Sequence, residues 1–270
     1  MKVLRASQTG LLDADELADA RKMMDENQYL QEFECDFESA IVGAYYGKEM
    51  RALTDEGRIR HVEHDENFKV FTSWDLGYSD STAIWWWQVV YGEIRMLDYH
   101  ASNGHDVDYY ANLIISKAKE YGYEYDTHWL PHDARAKTLS SNKSIIEQLS
   151  DKIALKFFKI VPSLSIQDGI QATRLALRRM WFDHKCEEGI ECLRQYQREW
   201  DDDKRMFKDK PRHDWTSHGA DAMRMCAIAW SEAVKEIPKD NSIRGLVVGE
   251  NEVSLDEMWK TVQTSTNRRI

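Results

Sequence analysis

The sequence predicts an α/β fold in which a mixed five-stranded sheet carries helices on both faces. Two observations predict it. Three apolar segments follow one another over residues 70–99, with a Tyr91-Gly92 turn before the last, which is typical of antiparallel strands joined by hairpins. From residue 106 to residue 182, amphipathic and apolar segments then alternate, which is typical of strand–helix units that pair in parallel.

The region before the first strand predicts a helical connector, residues 1–65. Asp13 can cap a helix over residues 11–34, whose apolar residues fall near helical spacing. Residues 55–66 are polar and rich in histidine and charge, which indicates a linker or an exposed turn.

Periodicity predicts the elements of the central region. Short apolar runs predict strands, and Asp106 precedes a segment with apolar residues at helical spacing. The predicted strands are 70–75, 83–90, 94–99, 127–132 and 155–161. The predicted helices are 106–121, 145–149 and 166–182. Three hairpin-joined strands followed by strand–helix units give the order of the RNase H-like fold.

Beyond the sheet, two more helices are predicted, over residues 186–200 and 216–233, with the charged stretch 201–212 between them. Residues 236–270 are mostly polar and predict a C-terminal tail. The central domain is therefore expected to span residues 66–235.

Composition limits the classes of function. The net charge of −11 argues against a protein whose whole surface grips nucleic acid. Basic residues nevertheless crowd the stretch 174–212, so a negative site for cations can coexist with a positive rim for phosphates. No apolar stretch has the length of a membrane span, and the four cysteines lack zinc or CxxC spacing, which favours reduced thiols in a cytoplasmic protein.

Three aspartates follow the predicted elements in a pattern typical of magnesium-dependent nucleases. Asp75 ends the first strand, Asp133 follows the strand predicted to lie parallel beside it, and Asp221 opens the last helix. Carboxylates gathered at one sheet edge can hold two divalent cations, Mg or Mn, against a phosphodiester. The helix dipole is expected to keep Asp221 ionised. Taken singly, each aspartate also fits a strand-end or helix-start cap.

Supporting residues are predicted around these acids. His213, Asp214 and His218 can orient a water or hold a carboxylate, although helix capping and surface polarity explain them equally well. The predicted DNA contacts are Arg174, Arg178, Lys137 and Lys143. The two arginines lie one helical turn apart and can reach the same phosphate backbone, but solvated faces and loop lysines have the same composition.

Three motifs carry a family resemblance. The segments FTSWDLGYSDSTA (Phe71–Ala83), PHDAR (Pro131–Arg135) and HDWTSHGADAMRM (His213–Met225) resemble the nuclease domain of the large terminase subunit of tailed bacteriophages and prophages. The resemblance runs over about residues 66–235. Residues 15–50 resemble the segment that joins the ATPase domain to the nuclease domain in that family.

The resemblance implies a metal-dependent endonuclease that cuts concatemeric double-stranded DNA during genome packaging, with Asp75, Asp133 and Asp221 as catalytic metal ligands. It also implies, as partners, a terminase ATPase domain or small subunit and the portal, in the host cytoplasm. The chain has no G-x-x-x-x-G-K-[ST] phosphate-binding loop, so we expect no nucleotide site and an isolated nuclease portion, a split gene product or a prophage remnant.

Two alternatives remain open at this stage. The chain could be a non-catalytic module that docks onto the packaging motor, with vestigial acids. It could also be another RNase H-like nuclease such as a resolvase, since these enzymes share the arrangement of acids.

Overall fold

The computed structural model describes residues 12–23, 29, 43–77, 80–136, 142–201 and 203–236. The chain divides into two compact units, residues 1–235 and residues 236–270, and the described residues fall in the first unit except for Glu236. Residues 237–270 of the predicted C-terminal tail, residues 11, 24–28 and 30–34 of the helix expected over 11–34, and Lys137 therefore lie outside the described residues.

A six-stranded mixed sheet forms the centre of the first unit, with the strand order β5-β4-β1-β2-β3-β6. Antiparallel pairing joins β1 to β2 and β2 to β3, whereas β1–β4, β4–β5 and β3–β6 are parallel pairs. The strands are β1 (Val70–Asp75), β2 (Thr82–Val90), β3 (Glu93–Ser102), β4 (Tyr125–Leu130), β5 (Phe158–Ile160) and β6 (Met180–Phe182). The mixed α/β fold is thus confirmed, with one strand more than predicted.

Helices cover both faces of this sheet. The helices are α1 (Ala14–Met23), α2 (Gly47–Asp55), α3 (Val107–Tyr121), α4 (Ile145–Leu149), α5 (Ile166–Leu177), α6 (Glu187–Gln195) and α7 (Trp215–Glu236). One face packs against α2, α5, α6 and α7, and the other packs against α3 and α4. The short 3₁₀ helices are His132–Arg135, Leu155–Phe157 and His184–Cys186.

Three successive tryptophans in β2 show why both faces must be covered. Trp85, Trp86 and Trp87 are all inaccessible to solvent. Because successive side chains of a strand point to opposite faces, Trp85 and Trp87 enter the core beneath α7, while Trp86 enters the core beneath α3. A central strand without polar alternation therefore anchors two hydrophobic cores.

The antiparallel part of the sheet is as predicted. The β2–β3 hairpin turns at Tyr91 and Gly92, both with positive φ (51° and 86°), which is the geometry of a tight two-residue hairpin loop. Asp106 caps α3 by accepting a hydrogen bond from the Tyr109 N–H at 2.9 Å. Gly122, in the left-handed conformation, follows the last turn of the same helix.

Two predicted helices are wrong at their carboxyl ends. The helix expected over 166–182 stops at Leu177, and β6 follows it along the free edge of β3. The helix expected over 186–200 stops at Gln195 and leads into an antiparallel hairpin, β7 (Arg198–Asp201) and β8 (Met206–Pro211). Backbone pairing overrides the local helical periodicity in both places, with the distant strand β3 in the first case and within a local hairpin in the second.

The two strands expected before residues 133 and 162 differ from the prediction, the first in position and the second in length. The expected strand 127–132 is shifted to Tyr125–Leu130, and His132 begins a 3₁₀ helix. The expected strand 155–161 starts with a 3₁₀ turn and pairs with β4 over Phe158–Ile160 alone.

The region before β1 packs on the sheet. Met50 and Leu53 of α2 are buried in the same core as Trp85 and α7. The assignment of residues 1–65 as a connector to another domain stays a prediction. Among the described helices, none has both the length and the apolar character needed to cross a membrane.

The cysteines within the described residues behave as packing residues. Cys186, Cys192 and Cys226 are buried free thiols. Burial raises the pKa of Cys192 to about 11, so its thiol stays protonated at neutral pH.

Candidate active site

Asp75 ends β1 beside the first turns of α7. His218 on α7 donates a hydrogen bond from Nδ1 to Asp75 Oδ2 across 3.1 Å, and the two side chains are 13% and 24% exposed. This hydrogen bond raises the pKa of His218, against the lowering effect of burial. The sequence therefore brings together a strand end and a helix that lie 143 positions apart.

Asp214 fixes the start of α7. Its Oδ1 accepts hydrogen bonds from the Thr216 backbone N–H at 2.9 Å and from the Thr216 hydroxyl at 2.6 Å. Arg212 contacts its other oxygen at 3.2 Å. Asp214 is thus the helix cap that orients the turn carrying His218.

Asp221 lies one turn further along α7 and points to the same edge of the sheet. Its Oδ1 accepts from Arg224 Nη2 at 2.8 Å and from the Tyr196 hydroxyl at 3.5 Å. Burial raises the pKa of Asp221 to about 6; the Arg224 guanidinium opposes this effect, while the negative charge of Asp75 adds to it. Asp75 and Asp221 therefore lie within electrostatic range of each other.

The helix dipole, expected to keep Asp221 ionised, is not the dominant influence on the pKa of this carboxyl. Asp221 lies beyond the first turn of α7, which begins at Trp215, and the dipole acts mainly on the first turn. Burial removes water from around the Asp221 carboxylate, and this is the largest influence on its pKa. The protonated form is therefore more favoured in the metal-free site than it is in water.

Asp133 lies at the same sheet edge but in a different element from the one predicted. The strand before it ends at Leu130, so Asp133 falls in the 3₁₀ helix His132–Arg135, with an exposed side chain. The parallel register of Ser73 with Trp129 brings the carboxyl ends of β1 and β4 side by side, as expected. The Asp133 side chain makes no hydrogen bond or ion pair with another described residue.

The carboxylates of Asp75 and Asp221 provide part of the ligand set that a hard divalent cation needs. Carboxylate oxygens are the ligands that Mg²⁺ and Mn²⁺ prefer. One oxygen of each paired acid, Asp75 Oδ1 and Asp221 Oδ2, makes no hydrogen bond within the part of the chain that is described. In that same part, no three His, Cys, Asp or Glu side chains are grouped closely enough to hold a metal ion, so the meeting of all three aspartates stays a prediction.

His213 lies at the rim. Its Nδ1 is 3.2 Å from the Ser217 hydroxyl, and its Nε2 is 3.9 Å from Asp80 Oδ2. Both His213 and Asp80 are exposed. These two residues border the acids without touching them.

The predicted DNA contacts are spread over the surface. Arg174 donates from Nε to the Tyr45 carbonyl at 2.9 Å, so it packs α5 against the segment before α2. Arg178 is exposed beside Lys48, Glu49 and Glu56. Lys143 pairs with Asp151 at 2.8 Å.

The sequence patterns do not single out Arg224 and Tyr196 as site residues. Arg224 could have been found, because it lies three positions after Asp221 on a predicted helix and is therefore on the same face. Tyr196 is brought to Asp221 by tertiary packing of its ring against Tyr46, at 5.7 Å between centroids, and no local pattern signals it.

The strand order and the placement of the acids define the class. A mixed sheet with three antiparallel strands, parallel strands added on both sides, and carboxylates at the end of β1 and on the last helix is RNase H-like. Residues 72–228, more than half of the chain, match the family described as the terminase RNaseH-like domain, and the chain belongs to that family.

Individual relatives agree with this assignment. The large terminase subunit of Escherichia phage T5 is 24% identical over 232 residues, which cover 78% of this chain and 47% of the phage protein. The large terminase of a thermophilic bacteriophage has a similar fold, with a TM-score of 0.53 and 16% identity over 84% of this chain and 53% of that chain. The chain thus spans about half the length of these relatives.

A second solved structure is the nuclease domain of the large terminase from bacteriophage SPP1, which was crystallised with bound Mn. It has a TM-score of 0.45 and 12% identity, over 61% of this chain and 86% of that domain.

Proposed function

We propose that this chain is a metal-dependent endodeoxyribonuclease that cuts concatemeric double-stranded DNA during viral genome packaging. The observation that carries the proposal is the placement of Asp75 and Asp221 within electrostatic range of each other, at the end of β1. Membership of a terminase RNaseH-like family supports the same conclusion.

The chain's own residues would prepare the site. His218 holds Asp75 through one oxygen, and Arg224 and Tyr196 hold Asp221 through one oxygen, which leaves the second oxygen of each carboxylate for a cation. We propose Asp133 as the third carboxylate, since it follows the strand parallel to β1 and is not engaged by another described residue. Two bound Mg²⁺ or Mn²⁺ ions would supply an activated water and stabilise the leaving oxygen.

The hairpin β7–β8 is the best candidate for a first contact with DNA. It leads directly into α7, and its tip carries Lys204 and Arg205, which follow the acidic residues Asp201 and Asp203. Trp200 and Met206, 45% and 55% exposed, lie beside them. Cationic and large apolar side chains on one projecting hairpin suit a phosphate backbone and its bases.

The remaining lysines of the hairpin are less available. Lys208 and Lys210 both pair with Glu199, at 2.6 Å and 2.7 Å. Of the predicted contacts on other elements, exposed Arg178 stays a candidate, and Lys137 lies outside the described residues.

The partners of the whole assembly belong to the proposal as well. Because the matched phage proteins are about twice as long as this chain, we propose that it acts with a terminase ATPase domain, present as another part or another chain. The small terminase subunit and the portal would complete the machine in the host cytoplasm.

Nicking of supercoiled plasmid tests the enzymatic proposal. We expect cutting with Mn²⁺ or Mg²⁺, no cutting with chelator, and loss of cutting in Asp75→Asn. Asp55→Asn is the matched control, since Asp55 is an exposed acid at the end of α2. A wild-type protein that binds DNA but never cuts it would instead favour a non-catalytic docking module.

A further inference from the structure

A cleft of about 370 Å³ opens on the α3 side of the sheet, at the amino-terminal half of β4. Asp75, in contrast, lies at the carboxyl end of the parallel strand β1. The cleft is walled mainly by apolar and aromatic side chains, and its size is that of a pocket for a small ligand or a single anchoring side chain. The wall includes Ile114, Ala118, Tyr125, His128, Ile153 and Phe157.

His128 lines this cleft and carries an unsatisfied polar atom. Its side chain is fully buried, and its Nε2 makes no hydrogen bond with any residue in the described ranges. Its Nδ1 lies 2.8 Å from the Thr72 hydroxyl, on the side that faces β1. An unpaired polar atom inside a protein costs about 1–3 kcal/mol, so a ligand that satisfied Nε2 would recover part of that cost.

The hydrogen-bond network makes Nε2 a donor. Thr72 Oγ1 accepts from Trp74 Nε1 at 2.7 Å, and its hydroxyl hydrogen has no acceptor other than His128 Nδ1 among the hydrogen bonds of the described residues. Burial lowers the pKa of His128 to about 3, so the imidazole is neutral. With Nδ1 accepting, Nε2 carries the ring hydrogen and needs an oxygen acceptor.

The walls favour an aromatic guest. The His128 ring lies 4.8 Å from the Tyr125 ring and 5.3 Å from the Phe158 ring, measured between centroids. Aromatic rings pack well in tilted arrangements at these distances. A phenol combines such a ring with an oxygen that can accept from Nε2.

The rim is positively charged. Lys119 lines the cleft, and Lys156 is adjacent to its wall residue Phe157; both are exposed and form no ion pair with a described residue. Lys152 also lines the cleft but is paired with Asp108 at 3.0 Å. The surplus of positive charge complements an acidic partner.

We propose that this cleft is a docking site for a partner polypeptide that inserts one tyrosine side chain flanked by acidic residues. Because Nε2 has almost no accessible surface, a wall side chain must shift for the phenol oxygen to accept from it, while the flanking carboxylates meet Lys119 and Lys156. This surface is separate from the acids at the other end of the sheet, so the inference does not depend on the proposed nuclease chemistry.

Binding of a fluorescein-labelled peptide, with a central tyrosine between glutamates, tests the proposal on the full chain by fluorescence anisotropy. We expect saturable binding that Ala118→Trp abolishes by filling the cleft and that Lys119→Glu weakens at least fivefold. Lys48→Glu, a charge reversal at an exposed lysine on α2, is the matched control and should leave the affinity unchanged.

A double-mutant cycle tests the contact with Nε2. Replacing the peptide tyrosine by phenylalanine should weaken binding to the wild type about five- to tenfold, the usual effect of one hydrogen bond. The same replacement should have no effect on the His128→Phe protein. Urea unfolding of each variant verifies that it is folded. If His128→Phe does not fold, Ala118→Trp still tests the cleft independently.

Three results would overturn the proposal. They are no binding of the tyrosine peptide, unchanged binding to a folded Ala118→Trp protein, or binding of uncharged 4-methylphenol as tightly as the peptide with no effect of Lys119→Glu. The last result would identify a small-molecule pocket instead.

Discussion

His218 Nδ1 lies 3.1 Å from Asp75 Oδ2, and this hydrogen bond joins the last helix to the end of the first strand. It leaves Asp75 Oδ1 without a partner among the described residues, and Asp75 lies within electrostatic range of Asp221. The orientation of Asp75 thus depends on His218, a residue of α7.

His218→Ala should lower nicking activity about 10- to 100-fold, the usual effect of losing a residue that orients a metal ligand. The Mn²⁺ concentration that gives half-maximal cutting should rise, because Asp75 would no longer be held. His105→Ala removes an exposed histidine that stacks on Tyr109 and serves as the control. Unchanged Mn²⁺ dependence in a folded His218→Ala protein would refute the positioning role.

Asp221→Asn should stabilise the metal-free protein increasingly as pH rises. Since the folded-state pKa of Asp221 is raised from 3.8 to about 6, this carboxyl contributes stability that is fully present below its unfolded pKa and is lost as pH rises through its folded pKa. Asparagine does not titrate. The variant's advantage in free energy of unfolding should therefore grow by about 1 kcal/mol between pH 5 and pH 8.

Urea unfolding of both proteins in chelator at the two pH values measures this difference. A constant difference, or one that shrinks toward pH 8, would contradict the burial of an ionised Asp221.

Gly219→Ala should destabilise the fold by about 1–3 kcal/mol through overpacking. A Cβ at Gly219 would lie 2.8 Å from Cys192 Cβ and 2.9 Å from the Tyr99 hydroxyl oxygen. The Gly219 carbonyl also accepts from Trp85 Nε1 at 2.9 Å, so α7 cannot move away freely. Urea unfolding at pH 7 checks the prediction; equal or higher stability would mean that α7 packs less closely on the sheet.

The hairpin tip should contribute to DNA affinity through phosphate contacts. Replacing Lys204 by Gln and Arg205 by Asn should reduce the slope of log affinity against log salt concentration by about 2, near 0.9 for each lost contact. Asparagine is chosen because Arg205 has a positive φ of 50°. The control is the double variant Lys48→Gln/Lys119→Gln. An equal reduction of the slope in this control would indicate a general effect of net charge.

The sequence predicted the antiparallel strands closely, because local signals determine them. The Tyr91-Gly92 turn and the apolar runs on either side gave the β2–β3 hairpin, and Asp106 marked the start of α3. The strand β6 was missed because its pairing partner β3 is distant in sequence. The β7–β8 hairpin was missed because its pairing overrides a helical pattern.

The candidate site was predicted in its residue types more than in its contacts. Strand and helix termini pointed to Asp75 and Asp221, and the structure places them within electrostatic range. The end of β4 was predicted two residues too late, which put Asp133 directly after a strand instead of within a 3₁₀ helix. The partnership of Asp75 with His218 depends on tertiary packing of α7, which no periodic pattern encodes.

A crystal of the protein soaked in Mn²⁺, with anomalous scattering recorded, tests the central claim most directly. We predict Mn²⁺ bound between Asp75 and Asp221, with Asp133 brought in as the third carboxylate. Absence of Mn²⁺ from these carboxylates at a concentration that supports cutting, or a bound ion that leaves Asp133 in solvent, would contradict the three-acid account.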